Sequence, residues 1–205
     1  MQKLSTIRKA IGASLICIVL SSGGNASAAS AGAAFLDTCA DGQDRPHPFD
    51  CDNIHSNLVK QRVVVTITPD SQDSGRIGAF YLGIRTDGQP RGNFTPNGWA
   101  GWNGGLFEPV ALFDSLPGGT QQYVIFNNGM LCPQVGGGTS ELWAGYGILN
   151  DDSEAIIKNY KNYLSKGITY EHLVRTYVQH EMSQSERAWK VLEVTCPSFA
   201  TEHNN

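Results

Sequence analysis

Glu141–Leu149 reads ELWAGYGIL, an apolar and aromatic run interrupted only by Gly145 and Gly147. After Glu141 it carries no charge, and its length suits a strand buried on more than one side. It falls far short of the roughly 18 apolar residues that a membrane-crossing helix needs. Upstream of it the chain breaks into short β-prone runs, and downstream lies the only strongly charged, helix-like part. The stretch is therefore read as a buried strand that closes a β core and hands the chain to a helical insert. Trp143 and Tyr146 are both expected inside that core.

Working back from it, Arg62–Thr68, RVVVTIT, is β-branched nearly throughout and stops at Pro69-Asp70, which marks a strand. Gly78–Thr86, GAFYLGIRT, is a second, ended by the Asp87-Gly88 turn signal. Gly92–Phe107 mixes glycines with Phe94, Trp99, Trp102 and Phe107, and Leu106–Phe113 and Gln121–Phe126 read as further strands around Leu116-Pro117-Gly118-Gly119. Ala29–Leu36 is small and apolar, and reads as a loose start. Asp37–Asp52 is a polar loop whose carboxylates lack the calcium-loop pattern. Short strands with Gly-rich corners indicate an antiparallel sandwich or barrel.

Working forward, Asn150–Asp152 and Glu154 form a helix start, and Ile156, Ile157, Tyr160 and Leu164 recur at helical spacing up to Gly167. Thr169–Met182 carries a stripe of Tyr170, Leu173, Val174 and Tyr177, and Trp189–Thr195 favours a last strand before Cys196-Pro197. The expected fold class is mainly β with a helical insert (α+β): an antiparallel β-sandwich followed by two helices and a closing strand. Three regions are expected: a signal peptide over 1–28, an N-terminal loop region over 29–61, and one sandwich domain over 62–205 with its helical segment at 151–182.

The leader rests on Lys3, Arg8 and Lys9 ahead of the apolar run Ala10–Leu20, with Ala26-Ser27-Ala28 as the small residues before cleavage. A lipoprotein signal is disfavoured, because Cys17 lies inside the apolar run. Removing three of the 15 basic residues leaves 12 against 19 acidic ones, a net charge of −7. Without a basic cluster, that balance argues against nucleic acid and anionic lipid as partners. The expected location is outside the cytoplasm, in the periplasm or beyond, with no membrane span. The four cysteines left, Cys39, Cys51, Cys132 and Cys196, form an even set, which in an exported chain favours two disulfides. Three pairings are open, and Cys39–Cys51 with Cys132–Cys196 is preferred. No C-x-x-C pair supports zinc.

Motifs for chemistry are sparse. His180-Glu181 opens an H-E-x-x-H pattern, but Gln184 stands where the second histidine belongs, so it reads as polar helix surface. No nucleophile elbow, Walker loop or dinucleotide glycine pattern is present. Asn93-Phe94-Thr95 is a sequon of little weight behind a bacterial-type leader. The aromatic-glycine segment is the ligand candidate: Phe94, Trp99 and Trp102, with Asn97 and Asn103, have the flat rings and amides that stack on and hydrogen-bond to sugars. The competing reading places the tryptophans at one end of the core. No metal and no cofactor is expected.

Four motifs occur in one order: Tyr81-Leu82-Gly83-Ile84-Arg85, Asn97-Gly98-Trp99, Leu116-Pro117-Gly118 and Ala144-Gly145-Tyr146-Gly147. In this the chain resembles a small β-sandwich module of exported bacterial proteins, often joined to larger surface or adhesin-like chains. The likeness covers roughly 62–162, and its motifs are short. The chain departs from the module in the cysteine-bearing insert Phe126–Gly138 and in its second helix. The module has no defined catalytic set, so the resemblance implies an exported sandwich and no particular activity. The leading expectation is a non-enzymatic binding or assembly component of the bacterial envelope, accessory to a pilus, adhesin or secretion apparatus, whose partner is an envelope protein or a carbohydrate. The alternative is a small exported hydrolase with a triad not visible in sequence.

The processed protein is expected to begin at Ala29 and to hold no free thiol under oxidising conditions. Intact mass before and after alkylation checks both, and two or more alkylated cysteines would rule out the paired framework.

Overall fold

In the strand Lys60–Thr68, Val63, Val65 and Ile67 alternate onto one face and are almost completely buried. That period of two sets the first sheet. The structure is a computed structural model, and it describes residues 28–38, 44–46, 60–127 and 138–196. Nearly all of the expected leader, together with Cys39, Cys51 and Cys132, lies outside the described residues. Both expected disulfides, Cys39–Cys51 and Cys132–Cys196, therefore do too.

The described strands are β1 (Ser30–Thr38), β2 (Asp44–Pro46), β3 (Lys60–Thr68), β4 (Gly78–Thr86), β5 (Gln89–Thr95), β6 (Gly98–Gly101), β7 (Ala111–Phe113), β8 (Gln121–Asn127), β9 (Gly138–Ile148) and β10 (Ala188–Cys196). Helices α1 (Asp151–Lys158), α2 (Lys161–Leu164) and α3 (Tyr170–Gln184) fall between β9 and β10. Two antiparallel sheets result, a four-stranded one in the order β2-β1-β3-β8 and a six-stranded one in the order β10-β9-β4-β5-β6, with β7 on the first half of β4. The molecule is mainly β, as its turn-rich sequence indicates.

The sheets share one core. Phe80, Leu82 and Ile84 of β4 and Leu142, Ala144, Tyr146 and Ile148 of β9 meet the β3 valines across it. Phe80 is ringed edge-on by Phe113 at 5.0 Å, Tyr123 at 6.1 Å and Tyr146 at 6.4 Å between ring centroids. The other face of the six-stranded sheet is covered as well. Ala79 and Tyr81 of β4 pack there with Leu173, Val174, Val178 and Met182 of α3 and Ile157 of α1. Burial on both faces explains why ELWAGYGIL is continuously apolar rather than alternating.

Glycines make the helical layer possible. Gly145 and Gly147 face α3, and a Cβ on Gly147 would fall inside the van der Waals envelope of the Val178 carbonyl group. A Cβ on Gly145 would lie 2.5 Å from the Arg187 carbonyl oxygen. The helix ends are set locally. Asn150 accepts from the Ser153 N–H at 2.9 Å with Asp151, Asp152 and Glu154 in the first turn of α1, and Thr169 accepts from the His172 N–H at 3.1 Å at the start of α3.

Four expectations are revised. The loose start at Ala29–Leu36 is instead β1, paired with β3 along nine positions, Ser30↔Thr68 to Thr38↔Lys60. Its alanines are poor strand formers alone, but Ala31, Ala33 and Phe35 pack on the core. The aromatic-glycine segment holds two strands, β5 and β6. The first helix breaks at Asn159-Tyr160, leaving α1 and α2. Trp143 lies on the helix-side face of β9, half-buried, while its neighbours in alternation enter the core.

Gly147→Ala must push α3 off the sheet or distort β9, because the obstacle is backbone. A loss of about 3 kcal/mol is expected, at the upper end for overpacking. Urea midpoints check it: an unchanged midpoint would mean that α3 rides loosely on β9.

Candidate functional site

The period of two in β4 places Tyr81, Gly83 and Arg85 on the face opposite Leu82 and Ile84. Helix α3 covers only one end of that face. Past its last turn a groove of about 510 Å³, counting its open mouth, runs over Gly83 and Gly145. Neither glycine contributes a side chain, so the floor is backbone. Trp143, which pairs with Gly83 in the β4–β9 register, forms one wall. Phe107 and Met182 form the other, and Pro90 and Ala188 stand at the ends.

Each wall is held in place. The Arg85 guanidinium lies over the Trp143 ring at 4.4 Å from its centroid, within cation–π range. The indole N–H of Trp143 donates to Glu141 Oε2 at 2.9 Å. That bond, with help from Lys190, lowers the Glu141 carboxyl below its ordinary value. Lys190 Nζ reaches Glu141 at 3.4 Å and Glu193 at 2.6 Å. Phe107 is tied at both ends of its backbone: its N–H donates to Gln179 Oε1 at 2.9 Å, and its carbonyl accepts from Arg175 Nη2 at 3.1 Å. Its ring stacks on Trp102 at 5.1 Å and 26°.

Behind Met182, a polar cluster fixes the turn from α3 to β10. Glu181, nearly fully buried, accepts from the Ile148 N–H at 3.0 Å, Ser185 Oγ at 2.6 Å and Arg187 Nη1 at 2.9 Å. Arg187 Nη2 then meets Asp73 Oδ2 at 3.1 Å, and the Tyr146 hydroxyl donates to the same oxygen at 2.8 Å. The Asp70 N–H donates to that hydroxyl at 2.9 Å. Burial raises the Tyr146 phenol well above its usual range. The expectation that His180-Glu181 is polar helix surface is corrected here. His180 is exposed, but Glu181 is a buried brace, and its carboxylate satisfies a sheet N–H that β10 does not reach.

Tyr81 is the unusual group of the groove. Its hydroxyl is buried and has no hydrogen-bond partner among the described residues, and Arg175 Nε nearby on α3 is in the same condition. Burial raises the Tyr81 phenol, and the Arg175 charge only partly offsets it.

The expected ligand residues divide between the two faces. Phe94 and Trp99 turn to the sandwich core, where Trp99 stacks on Phe126 at 5.2 Å and donates its indole N–H to the Ile125 carbonyl at 3.0 Å. Asn97 and Asn103 are exposed. Trp102 is half-buried and braces Phe107 from behind, with its N–H on the Gly105 carbonyl at 3.3 Å. The groove residues went unnoticed in sequence because they come from several separate elements. The one available signal was Y-L-G-I-R, whose first, third and fifth residues share a face. Among the described residues no group of His, Cys, Asp and Glu is arranged to hold a metal ion, and no helix is long and apolar enough to cross a membrane. Comparison with protein-family models, curated proteins and solved structures finds no significant match.

An unsatisfied buried hydroxyl costs about 1–3 kcal/mol. Tyr81→Phe is therefore expected to leave stability unchanged or raise it by about 1 kcal/mol. The pH dependence follows from the same burial. Tyr81 and Tyr146 are raised, and Tyr123 is raised by burial to about 12. Unfolded phenols ionise near pH 10 (about that value), so the stability they confer is whole below that pH and falls as pH rises towards 12 and beyond. Urea midpoints between pH 8 and 11.5 read both effects. A flat profile, or a large loss in Tyr81→Phe, would show that the phenols are hydrated.

Proposed function

We propose that this protein is an exported, non-catalytic binding component of the bacterial cell envelope, accessory to a pilus, adhesin or secretion apparatus. Its ligand sits in the groove on the outer face of the six-stranded sheet. The observation that supports this reading is the glycine-floored groove itself, walled by Trp143, Phe107 and Met182 and braced on each side. A concave, mostly apolar surface with a few fixed polar groups is the usual form of a binding site. Its walls are held before any ligand arrives, so little ordering entropy is lost on binding. The leader and the acidic balance of the sequence support a place outside the cytoplasm, away from nucleic acid.

Gly83→Leu is expected to fill the groove, and its Cβ has room there, meeting only the Gly92 carbonyl oxygen, at 3.4 Å. A photoreactive phenylalanine analogue at Ala188, in the protein made by its own cells, is expected to give a defined adduct in the fraction outside the cytoplasm. The adduct is lost when Gly83→Leu is added, while the melting temperature holds. Recovery of the protein from the cytoplasm, or an adduct indifferent to Gly83→Leu, would overturn the reading.

A further inference from the structure

The groove is lined mostly by apolar residues and glycines, with Arg85 as its one charged lining residue, in a chain whose formal net charge is −4. Arg85 lines it and rests on the Trp143 ring. Among the described residues the Arg85 guanidinium makes no hydrogen bond and no salt bridge. Glu141, whose carboxylate feels the Arg85 charge, is engaged by the Trp143 indole and by Lys190. The guanidinium rests against the indole face with its hydrogen-bond donors uncommitted among the described residues. Such a fork suits a carboxylate, which it meets with two parallel, charge-assisted hydrogen bonds. Arg175 adds a second positive charge behind Tyr81.

We propose that the groove binds an apolar-bodied organic acid, its body on the Gly83–Gly145 floor between Trp143 and Phe107 and its carboxylate on Arg85. This rests on the groove being the binding site, as argued above. The acid's apolar part loses water against Trp143, Phe107 and Met182, and its charge meets the half-buried Arg85, where it keeps part of its hydration. A neutral ligand of the same shape gains the first contribution and forgoes the second. The groove thus discriminates by the head group and accepts variation in the body.

A neutral fluorescent probe, N-phenyl-1-naphthylamine, reports occupancy, and 4-phenylbutyrate and 4-phenylbutanamide compete for it. In the full processed protein the acid is expected to displace the probe at about a tenfold lower concentration than the amide, the scale of one charge-assisted hydrogen bond. Raising the salt to half-molar should shrink that ratio. Arg85→Gln brings it to near one with probe binding kept, and Arg85→Lys keeps only part of it, because an ammonium cannot make the two parallel bonds of the guanidinium fork. Equal displacement by acid and amide in the unaltered protein would overturn the proposal while the groove stands. A preference that survives Arg85→Gln but disappears in Tyr81→Phe would move the carboxylate to Tyr81 and overturn the assignment to Arg85. A probe that fails to bind, or binds equally after Gly83→Leu, would overturn the groove as a site and the acid with it.

Discussion

Helix α3 rests directly on the backbone of β9, and most of the architecture follows from that contact. It requires Gly147 and Gly145, since any side chain there would occupy the space of the Val178 or Arg187 carbonyl group. It brings Glu181 down to the sheet, where the carboxylate bonds the Ile148 N–H and holds Arg187 against Asp73. Such a buried pair gives little net stability against an apolar alternative, but removing one partner strands the other charge at a cost of about 3–5 kcal/mol. The cluster therefore acts as a register pin for the turn into β10. Because α3 ends where it does, the face beyond it stays open, and the groove is the part of the sheet that the helix leaves bare.

Much of the fold was legible because it depends on local pattern. β3 and β4 show in their β-branched and aromatic runs, the chain reversal in Asp87-Gly88, and the cap of α1 in Asn150. The closing strand was read from the valines and threonine after Trp189. What was hidden depended on distant partners. β1 opens on the small residues Ser30–Ala34, and becomes a strand because β3 offers it a full edge. Trp143 was assigned to the core as part of a continuous apolar run, whereas its face is decided by the register that puts Leu142 and Ala144 inward.

The candidate site was legible only in fragments. Tryptophans flanked by glycines attracted notice in 92–107, yet Trp99 serves the core and Trp102 supports Phe107. The groove uses glycines instead as floor, and absent side chains announce themselves poorly. Tyr81, Gly83 and Arg85 stood inside a motif already noted for its likeness to exported modules, but nothing local said that its alternate residues face outward beside Gly145. That statement needs the pairing of β4 with β9, which no spacing encodes.

The middle sheet also constrains how the chain can reach this form. Gly78 pairs with Ile148, and β5 to β8 lie between them in sequence, so the central strand pair must close a long loop before either face is covered. β10 then pairs with β9 only after α1 to α3 have been traversed. Folding dominated by such distant pairings is slow, and strands remain exposed in the interval. A chain cut short before Arg187 leaves the Tyr146 N–H without the Arg187 carbonyl and one edge of β9 bare. The last strand is thus a lock that turns only when the whole chain is present.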